Sequence, residues 1–526
     1  MLHVATEPLP TVAVGKSMVA RSVDRIGSAA LACVVVLTIL SPLLMAIQPE
    51  TGGSERQRAY FARLADAWPF LPGIVLDTFR SRGPLSMVTV AHAAYAVPLF
   101  AFTLCAVALL RVIRQRWREL TDADANRMFR WAIALALASA PAYTVLFQDI
   151  WLSVVWGRMA NAGLNPYAMK FPLAFAADLP LDHPQFAMTY GPLWALIASA
   201  VTYVLGDRPL LAMLALKLVL TLAWVACLWL VADLTRGQAP WRRCLAIAVT
   251  GWLPVGVHYT VSEAHNDVVM VAFMLLWMRL MRDAATSLLG PLALAASVAS
   301  KYVTAPLALL DVIVHWHARQ LTTARYLLRI APALLLMLGT GAFLVYSSSA
   351  LHETSGMREG RFLDPADPFH LLQRFTGSSL YPVGRVSCLA FFGGAALVEV
   401  ARLMRAATAE NLLRAQLSIM ATVMLVGVGH VWPWFFIWCL PLAAMAPAFW
   451  LSWFIIGAGV VAPFTVIHWS GVPEDSSLFS QLPALAMYGV AACAVVEYRW
   501  ARRRITGVTA ASNPPVAIEA LAGDRV

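Results

Sequence analysis

The sequence predicts an all-α polytopic membrane protein, and three observations carry that prediction. Of its 526 residues, 60% are hydrophobic and 13% are charged, with a mean hydropathy of +0.69. The apolar residues fall in repeated runs long enough to enter or cross a bilayer. Much of the Lys and Arg clusters between those runs, as orientation in a membrane requires. The net charge of +10 is therefore read as basic loops facing anionic headgroups, and not as a nucleic-acid surface.

The runs justify the elements in order. Lys16, Arg21 and Arg25 precede the apolar run 26–47, which is too long for a signal-peptide core and reads as a first transmembrane helix. Further spans are expected at 85–110, 131–148, 190–206, 209–234, 244–258, 267–281 and 288–314. Others follow at 327–346, 380–401, 415–431, 434–447, 449–468 and 482–498. The 288–314 run is interrupted by Ser300-Lys301-Tyr302, so it is either one kinked span or two half-helices. The expectation is about 11 to 14 membrane-embedded helices. They form one membrane domain over 1–505, followed by a small, polar, disordered cytoplasmic tail at 506–526. No internal repeat is evident.

Orientation follows the arginines. Arg111, Arg114, Arg116, Arg118, Arg127 and Arg130 place the 111–130 loop inside. From Arg130 to Asp149 a helix would rise roughly 28 Å, close to the hydrocarbon thickness, which puts Asp149 at the outer face. Arg236, Arg242 and Arg243 place the 235–243 loop inside again. Two apolar runs between the outer 189 and the inner 235 conflict with that parity, and the favoured resolution embeds 190–206 without crossing. The seven cysteines lie in or beside apolar segments, with no CxxC pair and no metal-ligand spacing, and read as small buried hydrophobes.

Five polar features interrupt the apolar background. After Asp149, the residues Ile150, Trp151, Val154, Val155 and Met159 recur at helical spacing, which suits a short helix in the interface plane. That stretch carries Arg158 and ends in Gly163-Leu164-Asn165-Pro166-Tyr167, ahead of Tyr190-Gly191-Pro192. Ser262-Glu263-Ala264-His265-Asn266-Asp267 packs four strongly polar side chains into five residues at a helix end. A hydrophilic loop with an Asn or Asp helix cap explains part of that cluster, but not Glu263 and His265 together. Lys301 with Tyr302 reads either as a snorkelling or carboxylate-paired lysine or as an anion contact at the tip of a hairpin. The 357–368 loop offers Arg358 and Arg361 as phosphate contacts, and Trp432-Pro433-Trp434 reads as an interfacial aromatic belt or a binding surface.

In this order, over residues 130–450, these pieces resemble a GT-C membrane glycosyltransferase. They are similar in particular to the bacterial polyprenyl-phosphate-mannose-dependent mannosyltransferases. The matching residues are Asp149 with Arg158, Gly-Leu-Asn-Pro-Tyr at 163–167, Tyr-Gly-Pro-Leu-Trp at 190–194, His-Asn-Asp at 265–267, Ser-Lys-Tyr at 300–302 and Trp-Pro-Trp at 432–434. One departure is Trp-Phe-Phe at 434–436 where Trp-Tyr-Leu is expected, which removes a tyrosine hydroxyl.

The resemblance implies transfer of a sugar, mannose first, from a polyprenyl-phosphate donor to a glycolipid or polysaccharide acceptor. The reaction would take place at the outer face of the cytoplasmic membrane, with inversion and without metal or cofactor. Asp149 would be the general base. Lys301, His265, Arg158 or an outer-loop arginine such as Arg361 would stabilise the phosphate leaving group. Asn165, Tyr167, Tyr190, Asn266 and Asp267 would hydrogen-bond sugar or phosphate, and Glu263, Tyr302 and Trp434 complete the expected binding residues. The competing reading is a transporter or lipid flippase, which calls for internal repeats and charges near the bilayer midplane.

Overall fold

A computed structural model describes residues 18–47, 84–144, 149–179, 181, 187–206, 208–283, 288–318, 322–346, 381–428, 431–467 and 482–509. Among these residues the chain is helical, with no strand. The 48–83 and 347–380 loops, Arg358 and Arg361 included, lie outside the described residues.

Helices α1 (Met18–Ile47) and α2 (Pro84–Gln115) pack against each other at one side of the bundle. Helix α3 (Asp122–Ser139) starts at a capping box, in which the Thr121 hydroxyl accepts from the Asp124 amide and the Asp124 carboxylate accepts from the Thr121 amide. This corrects the expected 131–148 span. The helix begins nine residues earlier, holds Arg130 in its middle and ends at Ser139, because Pro141 follows and cannot continue the ladder. Asp149 therefore opens a new helix and does not close an old one.

That helix, α4 (Asp149–Asn161), exists where the periodicity places it, but not in the interface plane. Its residues from Ile150 through Gly157 are buried inside the protein. It packs on α5 (Pro192–Leu205), where Gly157 lets the backbone of Ala198 approach and Trp194 Nε1 donates to Ser153 Oγ at 3.0 Å. Helix α5 has 14 residues, about 21 Å of rise, short of the roughly 30 Å hydrocarbon core.

The centre is α6 (Pro209–Leu234) with α7 (Pro240–Trp252). Pro254 supplies no amide to an ordinary turn, and the chain continues as a π-helical segment, Val255–Ser262. Every residue from Cys244 to Met270 is buried. Helix α8 (Asp267–Asp283) then returns against α6 and pairs with α9 (Leu289–Ser300). The Ser300-Lys301-Tyr302 interruption is a true break: Lys301 is extended, at φ −157° and ψ 119°, between α9 and a 3-10 segment, Tyr302–Leu307, that leads into α10 (Ala308–Ala318).

Helices α11 (Thr323–Tyr346) and α12 (Tyr381–Arg405) turn Leu335, Leu338, Val386 and Leu397 outward, an apolar surface that lipid must cover. Helix α13 (Ala409–Thr422), the 3-10 segment Pro433–Trp438, α14 (Leu440–Met445) and α15 (Trp450–Val461) complete the bundle with α16 (Pro463–Ile467). Helix α17 (Leu482–Thr509) runs past the expected domain boundary at 505, so 506–509 is helical. Among the described residues, five stretches are long and apolar enough to cross a membrane: Met18–Ser41, Tyr95–Gln115, Pro209–Leu234, Pro240–Ser262 and Val386–Arg405. The apolar stretches Pro192–Leu205, Leu289–Ser300, Trp450–Val461 and Leu485–Tyr498 are shorter.

Candidate active site

The site forms where the start of α4, the end of the π-helical segment and the α9 break meet. Asp149 lies in the first turn of α4, where the unsatisfied amides of a helix N-terminus favour a negative charge. Its Oδ2 is 2.9 Å from His265 Nδ1, and its side chain is a quarter exposed, the opening through which a hydroxyl could reach it. Tyr190 also hydrogen-bonds the Asp149 carboxylate. Burial alone would raise the carboxyl pKa. The His265 imidazole, the nearby Lys301 charge and the Tyr190 hydroxyl outweigh it and hold the group below its ordinary value. Tyr190 is pushed the other way, by burial and then by the Asp149 and Asp267 charges, so its hydroxyl keeps its proton to donate.

His265 reaches Asp149 because the chain turns sharply ahead of it. Ala264 adopts φ +60°, and the His265 amide donates back six residues to the Tyr259 carbonyl at 3.3 Å. This is the wrapping pattern of a Schellman-type helix end, with alanine in the place glycine usually takes. The turn sends Glu263 and His265 to different neighbours. The His265 ring stacks on Trp434 at 3.9 Å and 7°, and Trp434 stacks on Trp432 at 4.9 Å and 10°. Trp434 is buried and also meets the rings of Tyr259 and Phe435, so it backs His265 and does not offer an open platform to a sugar.

Asp267 Oδ1 accepts from Lys301 Nζ at 2.7 Å and from Trp438 Nε1. Of the two readings left open for Lys301, the structure realises the carboxylate pair. The same ammonium lies 4.8 Å from the Phe435 ring centroid, 5.0 Å from Trp438 and 5.4 Å from Tyr190. Among the described residues, Asp267 Oδ2 and the neighbouring Asn266 Oδ1 are buried acceptors without a hydrogen-bond partner. Tyr190 is brought to this cluster by its neighbour: the Gly191 amide donates to Ser300 O at 2.9 Å, and the glycine sits against the Ala299 carbonyl.

The other expected residues stand apart from this cluster. Arg158 follows Asp149 by nine residues, about 14 Å along the axis and half a turn round, so the two face opposite sides. Its guanidinium is bidentate to Asp178, at 2.6 and 2.9 Å, and also donates to Phe175 O, so it clamps the segment after α4 and does not reach toward Asp149. Asn165 Oδ1 accepts the Tyr167 amide at 3.0 Å, a local turn, and Tyr167 is buried in the core. Glu263 is fully buried and accepts from Tyr95 Oη at 3.1 Å, with His258 at 3.8 Å, which corrects its expected contact with substrate. Tyr302 opens the 3-10 segment, half-buried. Sequence reasoning passed over Tyr95, Lys217 and His258. The available signal was Lys217, a single lysine inside the 209–234 apolar run.

Fold and site together define a polytopic, all-helical membrane protein with a carboxylate–imidazole pair and a lysine–carboxylate pair gathered at helix breaks. Residues 69–319 match the MptA_B family model, described as the alpha-(1->6)-mannopyranosyltransferase N-terminal domain. Over that segment the chain is similar to a mannosyltransferase family, which is consistent with the GT-C resemblance. The segment holds Asp149, Tyr190, His265, Asp267 and Lys301. No curated protein matches the chain significantly, and no solved structure does.

Proposed function

We propose that the chain transfers mannose from a polyprenyl-phosphate donor to a glycolipid or polysaccharide acceptor at the outer face of the cytoplasmic membrane, with Asp149 as general base. The observation that carries this reading is the partly exposed Asp149 carboxylate, backed by His265 and Tyr190 beside the Lys301–Asp267 pair. The acceptor hydroxyl hydrogen-bonds Asp149 and its oxygen attacks the anomeric carbon. As that bond forms, the bond from the carbon to the phosphate oxygen breaks and the hydroxyl proton passes to Asp149. The electron pair leaves with polyprenyl phosphate, and Lys301 stabilises its charge in this scheme.

The low carboxyl pKa keeps Asp149 in its basic form. The transfer succeeds because the attacking oxygen becomes acidic as it bonds to carbon. The matched family is described by an alpha linkage. A single displacement gives an alpha product only from a beta-linked donor, so the donor is beta-linked in this scheme. Asn266 Oδ1 and Asp267 Oδ2, both without a protein donor among the described residues, supply acceptors for sugar hydroxyls.

The test is purified chain in lipid nanodiscs with beta-mannosyl polyprenyl phosphate and membrane glycolipid acceptors, read by mass spectrometry. Asp149→Asn keeps size and most hydrogen bonding but cannot take a proton. Turnover should fall roughly 10²–10⁴-fold with donor binding retained. Near-wild-type turnover in that variant would reject Asp149 as the base. Absence of product from the wild-type chain would reject the donor class.

A further inference from the structure

Beneath the site lies a second set of charged groups to which the mechanism gives no role. Lys217, on α6, is 1% exposed in the middle of an apolar span. Its Nζ donates to the carbonyl of Ser262 at 2.7 Å and to the carbonyl of Ala142. The buried Glu263 carboxylate is its charge partner, and Glu263 in turn accepts from Tyr95, which also bonds His258. An ammonium inside a membrane span is costly, and the cost persists only where the group holds something in place.

The two carbonyls show what it holds. Ala142 is in the connection that leaves α3 and leads into Asp149, seven residues on. Ser262 ends the π-helical segment that leads into His265, three residues on. These connections come from different parts of the chain, and each ends in one half of the carboxylate–imidazole pair. Neither is stiffened by regular helix at the point where Lys217 grips it.

We propose that Lys217 is the positioning residue of the catalytic pair, a buried ammonium that fastens the Asp149 connection to the His265 connection. It touches neither substrate nor reacting atoms. Glu263 is the carboxylate that acts on this lysine, and the Tyr95 and His258 contacts keep Glu263 in place. This rests on the proposed mannosyl transfer for its kinetic readout, but not for its structural one.

The experiment compares wild type with Lys217→Met and with the double variant Lys217→Met/Glu263→Gln, which leaves no uncompensated buried charge. Steady-state kinetics with beta-mannosyl polyprenyl phosphate are joined by hydrogen exchange of peptides covering 140–150 and 258–268. The expected result is a kcat lowered about 10²-fold, the size of effect that a misplacement near 1 Å produces, with donor KM within threefold. Exchange should rise in those two segments and not in α1 or α12. A folded variant with kcat within twofold of wild type and unchanged exchange overturns the proposal. So does failure of both variants to fold, which would make Lys217 a residue of global stability. If the wild-type chain makes no product, the mannosyl-transfer reading fails, while the exchange comparison still decides the role of Lys217.

Discussion

Replacing Gly191 by alanine tests whether the site depends on the close approach of two chain segments. A Cβ at this position would lie 2.6 Å from the carbonyl carbon of Ala299 and closer still to its oxygen, where ordinary contact begins at 3.4 Å. The obstacles are backbone atoms, so no side chain can swing aside, and the segments must separate by more than the roughly 0.8 Å that the carbonyl carbon alone requires, since the oxygen is nearer. The hydrogen bond from the Gly191 amide to Ser300 O, now 2.9 Å, would stretch past the normal range. Tyr190, one residue before, would draw away from Asp149 and from the Lys301 ammonium, one residue beyond Ser300. A misplacement of this size costs on the order of 10²-fold in rate. Gly191→Ala should therefore lower mannosyl-transfer kcat by tens- to a hundred-fold, while the far side of the bundle keeps its wild-type hydrogen exchange. Turnover within twofold of wild type, in a chain with an unchanged melting temperature, would refute the claim that this contact sets the site.

Two further outcomes follow. In His265→Phe the ring stack on Trp434 is kept, but the group that most lowers the Asp149 pKa is lost. Because the folded pKa of Asp149 is depressed, its base form and the stability it contributes are present above that pKa and disappear as pH falls through it. Losing His265 raises that pKa, so the acid limb of the kcat/KM profile should move to higher pH, and an unmoved limb would show that His265 does not govern the carboxylate. At Ala264, glycine should be tolerated, since relief of about 1 kcal/mol of left-handed strain offsets a similar gain in unfolded-chain entropy. Ala264→Val, β-branched at φ +60°, should lower both melting temperature and turnover. Equal melting temperatures for the two variants would contradict the strained turn.

The membrane class was legible because burial in lipid leaves its mark on composition and on the spacing of arginines. Most expected spans match helices to within several residues. The helix ending at Ser139 was misplaced because the apolar run continues through Pro141 to Phe147, and hydropathy does not register where a proline ends a ladder. Helix α4 was placed correctly and oriented wrongly. Its periodic apolar residues suggested one buried face, but Ser153 and Gly157, which fall between them, are small residues packed under α5. Asp149, His265, Asp267 and Lys301, which the structure brings together in the candidate site, were all named from sequence, because ionisable residues at the ends of apolar runs are expensive and few. Their pairing was not legible. Asp149 meets His265 across 116 positions, and the turn that permits it uses alanine, so no glycine advertised it.

Those pairings also explain why the candidate site sits on broken helices. A continuous helix satisfies its own backbone and presents side chains along its flank, so it cannot aim a carboxylate, an imidazole and an ammonium at one point. Here α4 contributes its first residue, the π-helical segment its wrapped end, and α9 its last turn and the extended Lys301 that follows. Each end frees polar backbone groups that must be satisfied inside the protein. The contacts that do so are the ones that fix the site: Gly191 on Ser300 O, His265 on Tyr259 O and Lys217 on the Ala142 and Ser262 carbonyls. The positions most sensitive to substitution should therefore include Gly191, Ala264 and Lys217, which touch no reacting atom, as well as Asp149. A substitution scan in which these three tolerate change as freely as the lipid-facing Leu335 and Leu397 would break that link between backbone satisfaction and catalytic geometry.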